Sequence, residues 1–95
     1  MVKLGQRVFE NRGCVACHTP PAFTSSDTYD VGMADDTGTR LFNPPSLLGL
    51  GQRDLFFHDG RVTRVEDVIH KVQHQLDDPL SGPEAVALIT FLQSL

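Results

Sequence analysis

The chain has 95 residues, 40% of them apolar and 21% charged, which suffices for one hydrophobic core and excludes two domains. Its formal net charge of −4 argues against a nucleic-acid partner, because phosphate binding requires excess positive charge. No apolar run approaches the roughly 20 residues of a membrane span, and the N-terminus leads directly into an amphipathic pattern instead of a secretory signal. We therefore expect one domain over residues 1–95, either mature or excised from a longer protein.

The first segment has helical periodicity. Leu4, Val8 and Phe9 are spaced so that they share one face of a helix. This pattern predicts a short helix from Lys3 to Arg12, with Gly13 placed where a helix ends.

A CVACH motif follows at once, with Cys14 and Cys17 as the only cysteines and His18 directly after them. Thiols at this spacing can add to the two vinyl groups of a haem, while the adjacent imidazole reaches the iron. A thioredoxin-like redox pair and a plain disulfide are alternatives, but a redox pair of this kind follows a strand, and here a helical pattern precedes the motif. We predict one covalently bound haem c.

Zinc is the main competing cofactor for this motif. It would need two more ligands of clear spacing, and His70 and His74, four residues apart, are the candidate pair.

Residues 19–43 show no periodic pattern and predict a long loop after the motif. A flat apolar ligand such as haem gives such a loop a surface on which to pack, and a flexible surface loop is the alternative. The side chains expected to pack there are Phe23, Tyr29, Val31, Leu41 and Phe42.

Two further helical elements are predicted in the second half of the chain. Leu47, Leu48 and Leu50 follow a Pro-Pro-Ser sequence and predict one or two helical turns, ended by Gly49 or Gly51. A third helix is predicted from about Arg64 to Gln73, before the Asp-Asp-Pro sequence at 77–79. Its apolar residues recur three and four apart: Val65, Val68, Ile69, Val72 and Leu76.

The C-terminal segment carries the strongest helix signal. Ser81-Gly82-Pro83-Glu84 predicts a capping box with proline in the first turn. A wide apolar face follows, formed by Val86, Leu88, Ile89, Phe91, Leu92 and Leu95. The fold class predicted from these elements is all-α, with three to four helices around one haem.

Several segments together resemble the C-terminal haem domain of bacterial di-haem cytochrome c peroxidases. They are Gly5 with Val8-Phe9, residues 14–18, Asn43-Pro44-Pro45-Ser46-Leu47, Phe56-Phe57-His58-Asp59-Gly60-Arg61 and Phe91-Leu92-Gln93-Ser94-Leu95. The resemblance implies a small class I cytochrome c-like fold whose first and last helices cross at a glycine. Gly5 and Phe9 would then lie against Leu88, Phe91 and Leu92.

The resemblance also implies an iron held by the motif histidine and by a methionine just beyond the third helix. This chain has Val72 near that place, and valine cannot ligate iron, so the sixth ligand comes from elsewhere or is absent. Four side chains are candidates: His74, His70, Met33 and His58.

His74 ranks first among them, provided that the helix unwinds near Val72 and presents His74 from a loop. Met33 would offer a soft thioether from the long loop. His58 is assigned a structural role, bonding a propionate or a backbone carbonyl. The alternative for His70 and His74 is a solvated helix face.

Further contacts to the haem are predicted from residue chemistry. His18 needs a backbone carbonyl to accept its second ring proton, and Pro44 or Pro45 is the expected acceptor. Arg53, Arg61 and Arg64 are candidates to neutralise the propionates, because a guanidinium suits a carboxylate, with a surface position as the alternative for each.

The leading functional prediction is outer-sphere electron transfer by a low-spin, six-coordinate haem, with a redox partner protein or a fused redox domain. An open or labile sixth site for peroxide reduction or gas binding is the enzymatic alternative. A third hypothesis makes the chain a module of a larger redox protein. Thioether attachment and the resemblance imply a periplasmic or otherwise extracytoplasmic location, and we expect a monomer without a membrane span.

Overall fold

The structure is a computed structural model that describes residues 2–32, 38, 40–53, 56–57, 62–76 and 78–95. Among these residues the chain forms three α-helices, α1 (Val2–Asn11), α2 (Val65–His70) and α3 (Gly82–Gln93). Two short strands, β1 (Tyr29–Asp30) and β2 (Leu41–Phe42), pair antiparallel with Tyr29 opposite Phe42. None of the helices described is long and apolar enough to cross a bilayer. The chain is thus mostly helical, with one minimal sheet.

Helices α1 and α3 cross at Gly5. A Cβ atom on this glycine would lie 2.0 Å from the Ala87 carbonyl oxygen and 2.5 Å from the Phe91 Cβ atom. Only a residue without a side chain permits so close an approach. Val8 and Phe9 on α1 and Leu88, Phe91 and Leu92 on α3 are buried around this crossing. The crossing implied by the resemblance is present.

The start of α3 is capped as its sequence predicts. The Ser81 hydroxyl accepts a hydrogen bond from the Glu84 amide at 3.2 Å, and the Ser81 amide donates to Glu84 Oε1 at 3.3 Å. Arg12 Nη2 also donates to Glu84 Oε1, at 3.3 Å. The predicted capping box is confirmed, and it joins the end of α1 to the start of α3.

Phe23 brings the long loop onto the helix pair. Its ring centroid lies 5.9 Å from that of Phe9 and 6.2 Å from that of Phe91. The sequence predicts that Phe23 packs on haem, whereas in the structure its ring packs against α1 and α3. Tyr29, Val31 and Phe42 are half-buried, whereas Leu41 is 58% exposed.

Residues 19–43 are more ordered than the sequence indicates. Besides β1 and β2, Thr19 and Thr24 exchange two backbone hydrogen bonds of 3.3 Å. The Asn43 side chain donates to the carbonyls of Ser25 and Asp27 at 2.6 and 2.9 Å. The prediction of a structureless loop was wrong because strands of two residues are too short to show an alternating pattern.

The predicted helical turn at 47–50 was also placed wrongly. Leu47 and Leu48 lie outside any helix, and the turn is a 3-10 element at Leu50–Gln52. Gly49, with φ 74°, precedes this turn instead of ending it. The amide of Leu47 donates to the Phe23 carbonyl at 3.3 Å, so a long-range contact takes the place of a local helical bond.

Helix α2 is present where a third helix was predicted, but its predicted end was wrong. It ends at His70, three residues before Gln73.

Candidate haem-binding site

The cysteine motif lies on one tight turn. Gly13, with φ 80°, reverses the chain after α1 and opens a 3-10 turn at Cys14–Ala16. The amides of Cys17 and His18 both donate to the Cys14 carbonyl, at 3.3 and 3.0 Å. Both cysteines carry free, half-buried thiols. The turn thus presents two thiols and an imidazole within five consecutive residues.

The burial of the Cys14 thiol argues against a thioredoxin-like redox pair. Burial raises the pKa of this thiol, and the neighbouring Cys17 raises it further. A nucleophilic CxxC pair requires the opposite, a lowered pKa, so the thioredoxin-like alternative loses support. Nor does the described part of the chain bring together three or more His, Cys, Asp or Glu side chains of the kind a zinc site needs.

His18 is oriented by two backbone carbonyls. Its Nδ1 atom lies 3.2 Å from the oxygen of Phe23 and 3.2 Å from that of Pro45, and it donates to both when it carries the ring proton. Pro45 is one of the two acceptors that the sequence suggested. The sequence did not predict Phe23 as the second acceptor, because every residue has a backbone carbonyl and the identity of the side chain does not show which one accepts.

The electrostatics of His18 favour a neutral ring. Burial lowers the pKa of His18, the hydrogen bonds to Phe23 and Pro45 partly oppose this, and the nearby Arg53 guanidinium lowers it further. A neutral imidazole with its proton on Nδ1 keeps a lone pair on Nε2, which is the form that binds a metal.

The loop segments around His18 are tied to one another. The Thr24 hydroxyl donates to the Pro44 carbonyl, and the Ser46 hydroxyl donates to the Ala22 carbonyl at 2.5 Å. Arg53 Nη2 donates to the Ser46 carbonyl. These bonds hold the two carbonyls that face His18, so the orientation of its ring is built into the polypeptide.

His74 lies on an irregular turn after α2. The backbone is left-handed on both sides of it, with φ 52° at Gln73 and φ 56° at Gln75. The His74 amide donates to the Val68 carbonyl at 3.2 Å, outside the regular helical pattern. As a result the His74 side chain is half-buried, whereas His70, in the last turn of α2, is exposed.

The His74 ring is half-buried, and one of its nitrogen atoms lacks a hydrogen-bond partner in the described part of the chain. Its Nδ1 atom is buried and has no hydrogen-bond partner among the described residues. The Phe57 ring stands edge-on to it at a centroid distance of 5.2 Å. Burial lowers the pKa of His74, and His18 lowers it further, so the two imidazoles lie within electrostatic reach of each other. A buried polar atom without a partner costs on the order of 1–3 kcal/mol, so a group that binds the His74 ring would offset this cost.

Among the remaining candidates, the structure describes Arg64 in an ion pair of its own. Arg64 Nε lies 3.2 Å from Glu66 Oε2 in an exposed ion pair. Met33, His58 and Arg61 lie outside the described residues.

A turn with two free thiols and two half-buried imidazoles on separate segments fits a haem-binding domain of the cytochrome c type. A comparison with protein-family models extends this conclusion: the model of the di-haem cytochrome c peroxidase family matches residues 1–91. The chain therefore belongs to this family, and the resemblance is confirmed. No curated protein matches the chain. Family membership implies that the domain binds haem c.

Proposed function

We propose that this domain transfers electrons through a single haem c, in a small class I cytochrome c-like fold. The haem would be joined to Cys14 and Cys17 and held by His18 and His74. The observation that carries the proposal is the pair of half-buried imidazoles: His18 Nδ1 lies 3.2 Å from two backbone carbonyl oxygens, and His74 Nδ1 is buried with no partner among the described residues.

The residues present fit such a cofactor. The free thiols lie on one turn, His18 Nδ1 lies within hydrogen-bond distance of two carbonyl oxygens, and His74 has a buried ring nitrogen without a partner in the described part of the chain. When bound, the haem supplies a one-electron couple between ferric and ferrous iron. Two imidazole ligands favour low-spin iron in both states, so an electron can pass without a change of ligand.

The polypeptide contributes orientation and exclusion of water. The carbonyls of Phe23 and Pro45 fix the His18 ring and increase its basicity toward iron. The Phe57 ring shields one side of His74. Arg53 lies near His18 and is proposed to neutralise a propionate with the donors that its bond to Ser46 leaves free. The propionate roles of Arg61 and His58 remain proposals from the sequence.

Peroxide reduction is the second candidate function. The family is one of peroxidases. An iron whose sixth position opens would be accessible to peroxide or to a diatomic gas. The left-handed backbone around His74 is the structural feature that favours a ligand able to leave.

The cellular setting follows from the chemistry of attachment. We propose a periplasmic or otherwise extracytoplasmic domain that exchanges electrons with a partner protein or a fused redox domain. The family and the predicted thioether bonds support this location. A monomeric state is part of the same proposal.

The test is the visible spectrum of the purified holoprotein when oxidised, reduced, and reduced with carbon monoxide. We expect a low-spin spectrum and only weak binding of carbon monoxide, because the gas must displace His74 from the iron. His74→Ala should become high-spin and bind carbon monoxide, whereas His70→Ala, at an exposed position four residues away, is the matched control and should remain low-spin.

Two results would overturn this assignment. If Met33→Ala becomes high-spin while His74→Ala does not, the thioether is the ligand. If the wild type binds carbon monoxide readily, the sixth position is open, and peroxide reduction or gas binding becomes the leading function.

A further inference from the structure

A side-chain hydrogen bond connects the segment of His74 to the long loop. Gln75 Nε2 donates to the Val31 carbonyl at 3.1 Å, across 44 residues of sequence. Val31 directly follows β1, and it is half-buried. The bond therefore anchors the turn after α2 to the end of a paired strand.

The backbone at this turn needs such an anchor. Gln73 and Gln75 are both left-handed, a conformation that costs a non-glycine residue about 1 kcal/mol or more. Strained backbone persists only where surrounding contacts hold it. The Leu76 amide donates to the Gln73 carbonyl at 2.9 Å, which closes the turn locally but does not fix its direction relative to the loop. The hydrogen bond from the Gln75 side chain to Val31 fixes the turn relative to the loop.

We propose that Gln75 is a positioning residue for the sixth iron ligand. Its hydrogen bond to Val31 would hold the left-handed turn that presents His74 toward His18. This inference rests on the proposed ligation by His74 and extends it, because it identifies what keeps that ligand in place.

The proposal has a direct functional consequence. When the bond is absent, the turn can relax toward right-handed backbone, and His74 is presented less often to the iron. The sixth position then opens more often to external ligands. Gln75 would thus set the balance between a closed site suited to electron transfer and an open site suited to peroxide or gas.

The experiment compares two substitutions that make the same change at neighbouring positions. Gln75→Glu keeps the size of the side chain and removes its N–H donor. Gln73→Glu introduces the same charge on the same type of backbone, and the Gln73 side chain has no hydrogen-bond partner among the described residues. Gln75→Ala and Gln73→Ala repeat the comparison without the charge.

The readouts are the spin state of the ferric holoprotein and the affinity of the ferrous holoprotein for carbon monoxide. We expect Gln75→Glu and Gln75→Ala to bind carbon monoxide about fivefold more tightly than the wild type. This factor corresponds to the net free energy that one hydrogen bond contributes. Gln73→Glu and Gln73→Ala should match the wild type. Gln75→Lys retains a donor and should restore wild-type affinity.

The outcomes separate this inference from the proposed function. A wild type that is high-spin removes ligation by His74, and the inference falls with it. A low-spin wild type with equal carbon monoxide affinity in the Gln75 and Gln73 variants overturns the positioning role alone. If Gln75→Glu does not fold as a holoprotein, Gln75→Ala gives the same comparison.

Discussion

The α1–α3 pair and the histidine region, defined as His18 with the segment around His74, are held together in different ways. The helix pair meets at Gly5 and buries Phe9 and Leu88 to 2% and 1% exposure. The histidine region depends on individual hydrogen bonds to loop carbonyls, and one buried nitrogen of His74 has no partner among the residues that the structure describes. The contacts of the helix pair thus lie within the polypeptide, whereas those of the histidine region would be completed by the proposed haem.

Loss of haem attachment should have the largest effect, because we expect both the helix pair and the histidine region to lose their structure. We expect Cys14→Ala or Cys17→Ala to give apoprotein that is largely disordered, because so small a domain keeps little core without its haem. Circular dichroism measures the helix content. Ala16→Ser, an exposed change on the same turn, is the control and should keep the haem. Full helix content in the apoprotein would contradict the expectation and show that the helix pair is stable by itself.

Gly5→Ala should disrupt the helix pair directly. Its new Cβ atom would lie 2.0 Å from a backbone oxygen of α3, so the helices must separate. We expect the free energy of unfolding of the holoprotein to fall by about 2–3 kcal/mol, the upper part of the range for overpacking a core. Gly82→Ala is the control, because a Cβ there meets nothing within 4 Å. Equal urea midpoints for the two variants would show that the crossing tolerates a side chain.

The smallest expected effect is a pH dependence at the start of α3. The hydrogen bond from the Ser81 amide, and then the Ser81 hydroxyl and Arg12, lower the pKa of Glu84 from its ordinary value of 4.5. The unfolded chain then binds more protons than the folded one, so stability present above pH 4.5 is lost as the pH falls below it.

Melting temperatures measured from pH 6 down to pH 3 test this dependence. Glu84→Gln should decline less steeply with falling pH than the wild type, and Glu10→Gln, an exposed carboxylate of α1, serves as the control. If the melting temperatures of wild type and Glu84→Gln decline in parallel, Glu84 does not contribute to the loss of stability in acid.

The features that the sequence predicted correctly are those that depend on local chemistry. The spacing of Leu4, Val8 and Phe9 predicted α1, and the Ser81 and Glu84 pair predicted the cap of α3. The cysteine motif and the segments around it predicted the family. In each case, residues close in the chain carry the signal.

The features that it missed depend on distant contacts. Helix α2 ends at His70 although the apolar spacing continues, because the left-handed residues Gln73 and Gln75 follow it. The bond of Gln75 to Val31 and the carbonyl of Phe23 beside His18 involve backbone acceptors, which have no sequence signature. The long-range part of the site therefore required the structure.

Phe23 contacts both regions, the helix pair through its ring and the histidine region through its carbonyl. Its ring packs against Phe9 and Phe91, while its carbonyl oxygen lies 3.2 Å from His18 Nδ1. A change in how the ring packs would turn the carbonyl, and in the proposed haem complex the electron density that His18 donates to the iron would change with it. The reduction potential of the domain would then report on the packing of its hydrophobic core, and core substitutions that never touch the haem would tune its redox chemistry.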